Sequence, residues 1–288
     1  MPEKFRAMGE PRKELKQARG LSQDELAEIA LRAVHYQSRA DAVGLINDQG
    51  VLMRVAQSDP DHFVRQTAVE KITDQQALVD IACSDPDYYV RLAAVKGITD
   101  SRVLSGIIMK SQDDYYICKD ALNKIRDNDV LASLVEALTD RDIKSAAVQA
   151  INDQGVLAQI ARNNKDFYVR SDALKKITDQ EVLIQIARND GDYYVRALAV
   201  QQIDDPGVIR SIASDDPDFF VRGQAVTRIS DMQVLREIFF KDPDFEVRRK
   251  ALDNMDDADV LQGLLEEVGD AYMQRKIRFR IEELRGLV

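Results

Sequence analysis

Apolar residues recur along the chain in short stripes that fit a helix and not a strand. Val64, Ala68, Val69 and Ile72 fall at i, i+4, i+5 and i+8, and Ala77, Leu78, Ile81 and Ala82 form a second such stripe. Val182, Leu183, Ile186 and Ala187 repeat it far downstream. This spacing lines one face of a 3.6-residue helix, whereas a half-buried strand would alternate. Each stripe covers about ten residues, so each helix is only ~15 Å long and marginal on its own.

The stripes keep time. The residues Ser38, Val64, Val90, Ile117, Ile143, Val169, Val195, Val221, Val247 and Met273 occupy equivalent places, which we call anchors. Successive anchors are 26 residues apart, except for one step of 27 between Val90 and Ile117. From the second unit onward an aspartate stands three residues before each anchor, from Asp61 to Asp270. A second aspartate stands ten residues after each of the first nine anchors, from Asp48 to Asp257. Aspartate just before an apolar-periodic stretch is a helix N-cap, its carboxylate accepting first-turn N–H groups and contributing roughly 0.5–2 kcal/mol. The pattern therefore predicts two short capped helices per unit. The fourth residue after the anchor is alanine in nine of ten units (Ala42 through Ala251), which lets helices approach closely. Helices this short must stack on their neighbours to bury a core, so the fold class is an all-α solenoid of about ten two-helix repeats.

The phrase Asp59-Pro60-Asp61-His62-Phe63-Val64-Arg65, with returns at 85–91, 216–222 and 242–248, resembles HEAT-like repeats. It is most similar to the short bacterial kinds, the phycobilisome-lyase HEAT-like repeats and the leucine-rich repeat variant. The resemblance covers about 38–288 and implies a right-handed α-α superhelix whose Val-Arg helices line the concave face. It also implies a ladder pairing each arginine with the aspartate six residues earlier: Asp59/Arg65, Asp85/Arg91, Asp190/Arg196, Asp216/Arg222 and Asp242/Arg248. Two features depart from the family. The unit is shorter than a standard HEAT repeat, and Cys83 and Cys118 cannot build the four-cysteine cluster of the repeat-variant group.

Residues 1–37 are expected to form N-terminal capping helices continuous with a repeat array over 38–288, which ends in a C-terminal capping helix. Lys13 to Ala30 resembles the first two helices of Cro/repressor helix-turn-helix domains, with Ser22 and Glu25 as a capping box. No recognition helix follows, and Leu26, Ile29 and Ala30 are in register with Leu52, Val55 and Ala56. A terminal half-unit explains the same residues. An irregularity is expected at the middle, where the inserted residue coincides with Gln112 and Cys118 in ladder positions. Leu138 and Lys144 then take the next ladder positions, and Arg141-Asp142 replaces an aromatic pair. These markers predict a bend in one continuous array.

Composition narrows the chemistry. Forty Lys+Arg against fifty Asp+Glu give a net charge of -10, which argues against generic nucleic-acid binding. Two cysteines and two histidines exclude a disulfide framework and a Cys/His zinc cage. His35 and His62 read as solvated residues near helix starts. No phosphate-binding glycine loop, zinc-protease helix or serine elbow occurs, so no active site, metal or cofactor is expected. The charged start Met1-Pro2-Glu3-Lys4-Phe5-Arg6 is followed by no apolar segment, and a cytoplasmic address is the expectation.

Two surface patterns point to a partner. Fourteen of eighteen Phe and Tyr lie one or two places before an anchor, namely Tyr36 and the thirteen from Phe63 to Tyr272. They read as packing between units or as an aromatic ridge. On the Val-Arg helices, nine basic residues face five acidic ones at positions expected to avoid the core. Lys71, Lys124, Lys175, Lys176, Arg228 and Lys250 are the candidate partner-binding residues. The basic positions read as a solvated helix face or as a groove for an acidic partner, and the expected function is a non-catalytic scaffold or adaptor binding a protein or peptide segment along its concave face. The alternatives are an accessory or regulatory subunit of an enzyme, implied by the lyase resemblance, and nucleic-acid binding.

Overall fold

A computed structural model describes residues 20–286. The helix-turn-helix resemblance over 13–19 lies outside the described residues. Among these, 20 α-helices account for 73% of positions and no strand occurs. No helix among them is long and apolar enough to cross a membrane.

The chain divides into two compact units, Met1–Ile151 and Asn152–Val288. The boundary follows the repeat in which the markers of irregularity end. In the first unit lie α1 (Gln23–Arg32), α2 (Tyr36–Leu45), α3 (Gln49–Ser58), α4 (His62–Val69), α5 (Gln75–Ser84), α6 (Tyr88–Gly97), α7 (Ser101–Lys110), α8 (Tyr115–Lys124), α9 (Asn128–Ala137) and α10 (Arg141–Ala150). The second holds α11 (Gln154–Asn163), α12 (Phe167–Leu174), α13 (Gln180–Asn189), α14 (Tyr193–Val200), α15 (Pro206–Asp215), α16 (Phe219–Val226), α17 (Met232–Lys241), α18 (Phe245–Asn254), α19 (Ala258–Glu267) and α20 (Ala271–Leu284). Even-numbered helices carry the anchors.

Capping explains where the helices start. All eighteen aspartates of the repeat cap a helix with their side chains; Asp61, for example, accepts the N–H groups of Phe63 and Val64. Ser22 and Glu25 form the reciprocal capping box that opens α1. Many anchor helices stop on an apolar residue in extended backbone, with ψ of 126–140° at Ile46, Ile98, Ile125 and Ile151. That turn sends the side chain into the core, where all four are buried.

Within each unit, helices pair in sequence and successive pairs stack. The anchor helices pack on one another more extensively than the alternate layer does. Alanine is the reason: Ala68, Ala94, Ala121 and Ala147 in the first unit, and Ala173, Ala199, Ala225 and Ala251 in the second, are completely buried. Their missing side-chain bulk lets backbones meet. Each unit is thus a two-layer helical stack with its tight layer on the Val-Arg side.

Candidate functional site

An arginine follows the anchor in most repeats, and its guanidinium joins one repeat to the next. Arg39, Arg65, Arg170, Arg196 and Arg222 donate through Nε and Nη2 to both carboxylate oxygens of Asp59, Asp85, Asp190, Asp216 and Asp242, at 2.7–3.0 Å. Each Nη1 donates back to the carbonyl six residues earlier, at 2.9–3.0 Å. The carboxylate bond keeps these guanidinium groups more firmly protonated than free arginine, against the opposing pull of burial.

This corrects the expected pairing. Each expected ladder aspartate is used, but Asp59 pairs with Arg39 and not Arg65, and the others shift in the same way, so that Arg39 and Arg170 enter the ladder while Arg91 and Arg248 hold none of these carboxylates. An aspartate offers its own repeat's arginine only its main-chain carbonyl. Its carboxylate is turned by the N–H two residues on, as Asp59 is by Asp61, and meets the arginine arriving from the preceding repeat. The ladder is therefore a bidentate inter-repeat clamp.

Two rungs differ. Arg91 reaches the cap residue Asp114 instead, at 2.6 Å. In the 27-residue repeat Cys118 takes the arginine place and its Sγ lies 3.1 Å from the Ser111 carbonyl, while Gln112 accepts the Thr139 N–H. Burial pushes the Cys118 thiol up to about 12, with nearby Asp114, Asp113 and Asp140 adding to it. Cys83 is exposed. A thiol reagent at pH 8 should therefore label Cys83 at once and Cys118 only at the rate of unfolding. Rapid labelling of two thiols in the native protein would contradict this environment.

A second set of ties uses the candidate cations. Seven places after the anchor, Lys71 donates to the Val43 and Gly44 carbonyls at the end of the preceding anchor helix. Lys124 donates to Lys96, and Arg228 to Val200 and Ile203, in the same way. Asn254 does so in the following repeat. A cation here satisfies orphan carbonyls and the negative helix end together. Burial lowers the pKa of Lys71, Lys124 and Lys176. Lys175 is paired with Asp172. Lys250 lies over the Phe220 ring and against Gly223, where a Cβ would come within 3.1 Å of its Nζ. Most of the apparent basic face is thus engaged within the fold. Lys124→Glu should cost about 1–2 kcal/mol in urea denaturation by opposing the α6 C-terminus. Lys119→Glu, on the same helix but exposed, should stay within about 0.5 kcal/mol. Equal costs would show that Lys124 clamps nothing.

A third tie was not anticipated. The glutamine after several caps brackets the next repeat's turn: Gln49 donates to Lys71 O and accepts from Thr73 N, and Gln154 and Gln180 act likewise. The recurring Asp-Gln dipeptide was its signal.

What remains at the surface is aromatic. Rings at the first turn of the anchor helices are 37–68% exposed, in one unit Tyr36, Phe63, Tyr89, Tyr115 and Tyr116, in the other Tyr168, Tyr193, Tyr194, Phe219, Phe245 and Tyr272. They also touch across repeats edge to face, as Tyr36–Phe63 at 6.3 Å and Tyr193–Phe220 at 5.8 Å. Packing and exposure thus coexist in the row of each unit. Where Arg141-Asp142 replaces the ring pair, a cavity of about 490 Å³ opens between α8 and α10, lined by Tyr115, Lys119, Asp142, Ser145 and Gln149. Lys119 lies 5.8 Å from the Tyr115 ring centre and has no ion pair among the described residues. His35 and His62 are exposed at helix starts, and His35 makes no capping bond with its side chain.

No protein-family profile matches the chain, and no curated protein matches it in sequence. Among solved structures it is similar to YibA of Escherichia coli, at 15% identity, with 96% of this chain and 98% of that chain covered and a TM-score of 0.25. It is also similar to a computationally designed self-assembling cyclic homo-oligomer, at 12% identity, 96% and 91% coverage and a TM-score of 0.11. Superpositions this loose carry no functional argument, and the fold rests on the chain's own geometry: a helical-repeat protein.

Proposed function

We propose that the protein is a non-catalytic scaffold of HEAT-like build that binds an extended segment of another protein along the exposed aromatic row. The row itself supports this reading. Tyrosine and phenylalanine present large, rigid apolar area with little entropy to lose, which is why they dominate interface hot spots. A repeat places them at even intervals, suited to a partner that runs along the stack. In the first unit the cavity beside Tyr115 gives one partner side chain a seat, with Lys119 and Asp142 as polar contacts.

The test is affinity capture from the native organism with two baits. One is the unaltered protein; the other carries Tyr89→Ser, Tyr115→Ser and Tyr116→Ser. The substituted side chains are exposed, so the far-UV circular dichroism spectrum should not change. A protein partner retained by the first bait and lost from the second is the expected result. Identical retention by both would remove the aromatic row from the function.

A further inference from the structure

The arginine ladder runs out of carboxylates at its C-terminal end. Arg248 follows the anchor Val247 and is held as its counterparts are, with Nη1 donating to the Asp242 and Pro243 carbonyls at 2.8 and 2.9 Å. Its partner should stand 20 residues on, where Asp85 serves Arg65 and Asp242 serves Arg222. Val268 stands there instead. Nε and Nη2 of Arg248 have no acceptor among the described residues. Its guanidinium lies over the Phe245 ring, 5.9 Å from the centre.

The vacant rung opens into a cavity of about 610 Å³. Its walls include Phe239, Phe240, Phe245, Val268, Tyr272 and Met273. Two carboxylates border it, and each is engaged elsewhere: Glu267 takes Arg236 at 2.5 Å, and Asp270 accepts the Met273 N–H as the cap of α20. The space exceeds what one carboxylate needs, and four of its ten lining residues are aromatic.

We infer that this cavity receives an acidic side chain from a partner protein segment, with an apolar residue beside it, so that the partner completes the ladder at Arg248. This rests on the scaffold reading above. The chemistry is that of the filled rungs, a planar carboxylate meeting a pre-oriented guanidinium fork. A second copy stacking head to tail does not fit as the occupant. At the other end of the ladder the carboxylate place is held by Ala33, whose carbonyl already takes Arg39.

The probe is an acetylated and amidated hexapeptide, Ser-Asp-Asp-Pro-Asp-Phe, which copies the ladder loop Ser214–Phe219. Isothermal titration should show it binding the full chain, and its form with every Asp replaced by Asn should bind about tenfold more weakly or worse. Arg248→Ala should cause a similar loss. Val268→Asp should also abolish binding while raising the urea midpoint, because it supplies the missing rung from within. In a proton–nitrogen spectrum the Arg248 Nε–H signal should shift on peptide addition. No binding to the unaltered chain would overturn the inference, as would equal binding by both peptides. Affinity that survives Arg248→Ala and Val268→Asp would do so too. Both variants leave Tyr89, Tyr115 and Tyr116 in place, so failure here leaves the capture experiment as an independent test of the scaffold.

Discussion

Arg222→Ala should lower the unfolding free energy by about 3–5 kcal/mol, measured by urea denaturation followed by circular dichroism. Arg222 and Asp242 are both buried, and the guanidinium donates two bonds to the carboxylate, at 2.8 and 3.0 Å. Truncation leaves the Asp242 carboxylate buried with only the Asp244 N–H, and it strips the Asp216 and Pro217 carbonyls of their donor. The expense lies in stranding these groups, since a buried ion pair is nearly balanced by its own desolvation. Arg222→Met combined with Asp242→Leu should therefore recover more than half of the loss. Arg248→Ala provides the internal comparison. That arginine has no carboxylate to strand, and its loss should cost about 1 kcal/mol or less. Equal losses at Arg222 and Arg248 would mean that the ladder carboxylates contribute little.

The second large effect is expected in the core. Leu104→Ala should cost about 2–5 kcal/mol, because Leu104 is completely buried in α7 and its loss leaves a hole the short helices cannot close. Met109 on the same helix is 40% exposed, and its replacement by alanine should stay within about 0.5 kcal/mol. A repeat contacts chiefly its neighbours, so hydrogen exchange in the Leu104 variant should accelerate first in α5 through α10. Uniform acceleration over the whole chain would show that cooperativity extends further than nearest neighbours.

The local rules were legible without coordinates because they act within a few residues. An aspartate ahead of an apolar stripe caps the helix that follows, and Asp48 through Asp270 all do so. Ala68 and its equivalents were readable as points of close approach for the same reason: side-chain volume at a fixed helical position is a local property.

The partners of the charged residues were not legible. Arg65 lies six residues from Asp59 and twenty from Asp85, and proximity along the chain favours the wrong one. The stacking distance between repeats and the Asp61 N–H on the Asp59 carboxylate decide the matter in favour of the neighbour. Lys71, Lys124 and Arg228 looked like a basic face because a sequence shows that a position avoids the core but not what it touches. Only the packed structure puts helix-terminal carbonyls within their reach.

By itself the sequence determined the all-helical repeat, the helix starts, the buried alanine row and the ladder aspartates, because capping, periodicity and volume are short-range. The tertiary structure alone decided which aspartate each arginine holds, which cations are used within the fold and where a rung stands empty. Those outcomes depend on distances between residues 20 to 28 positions apart, which stacking sets and no local preference encodes.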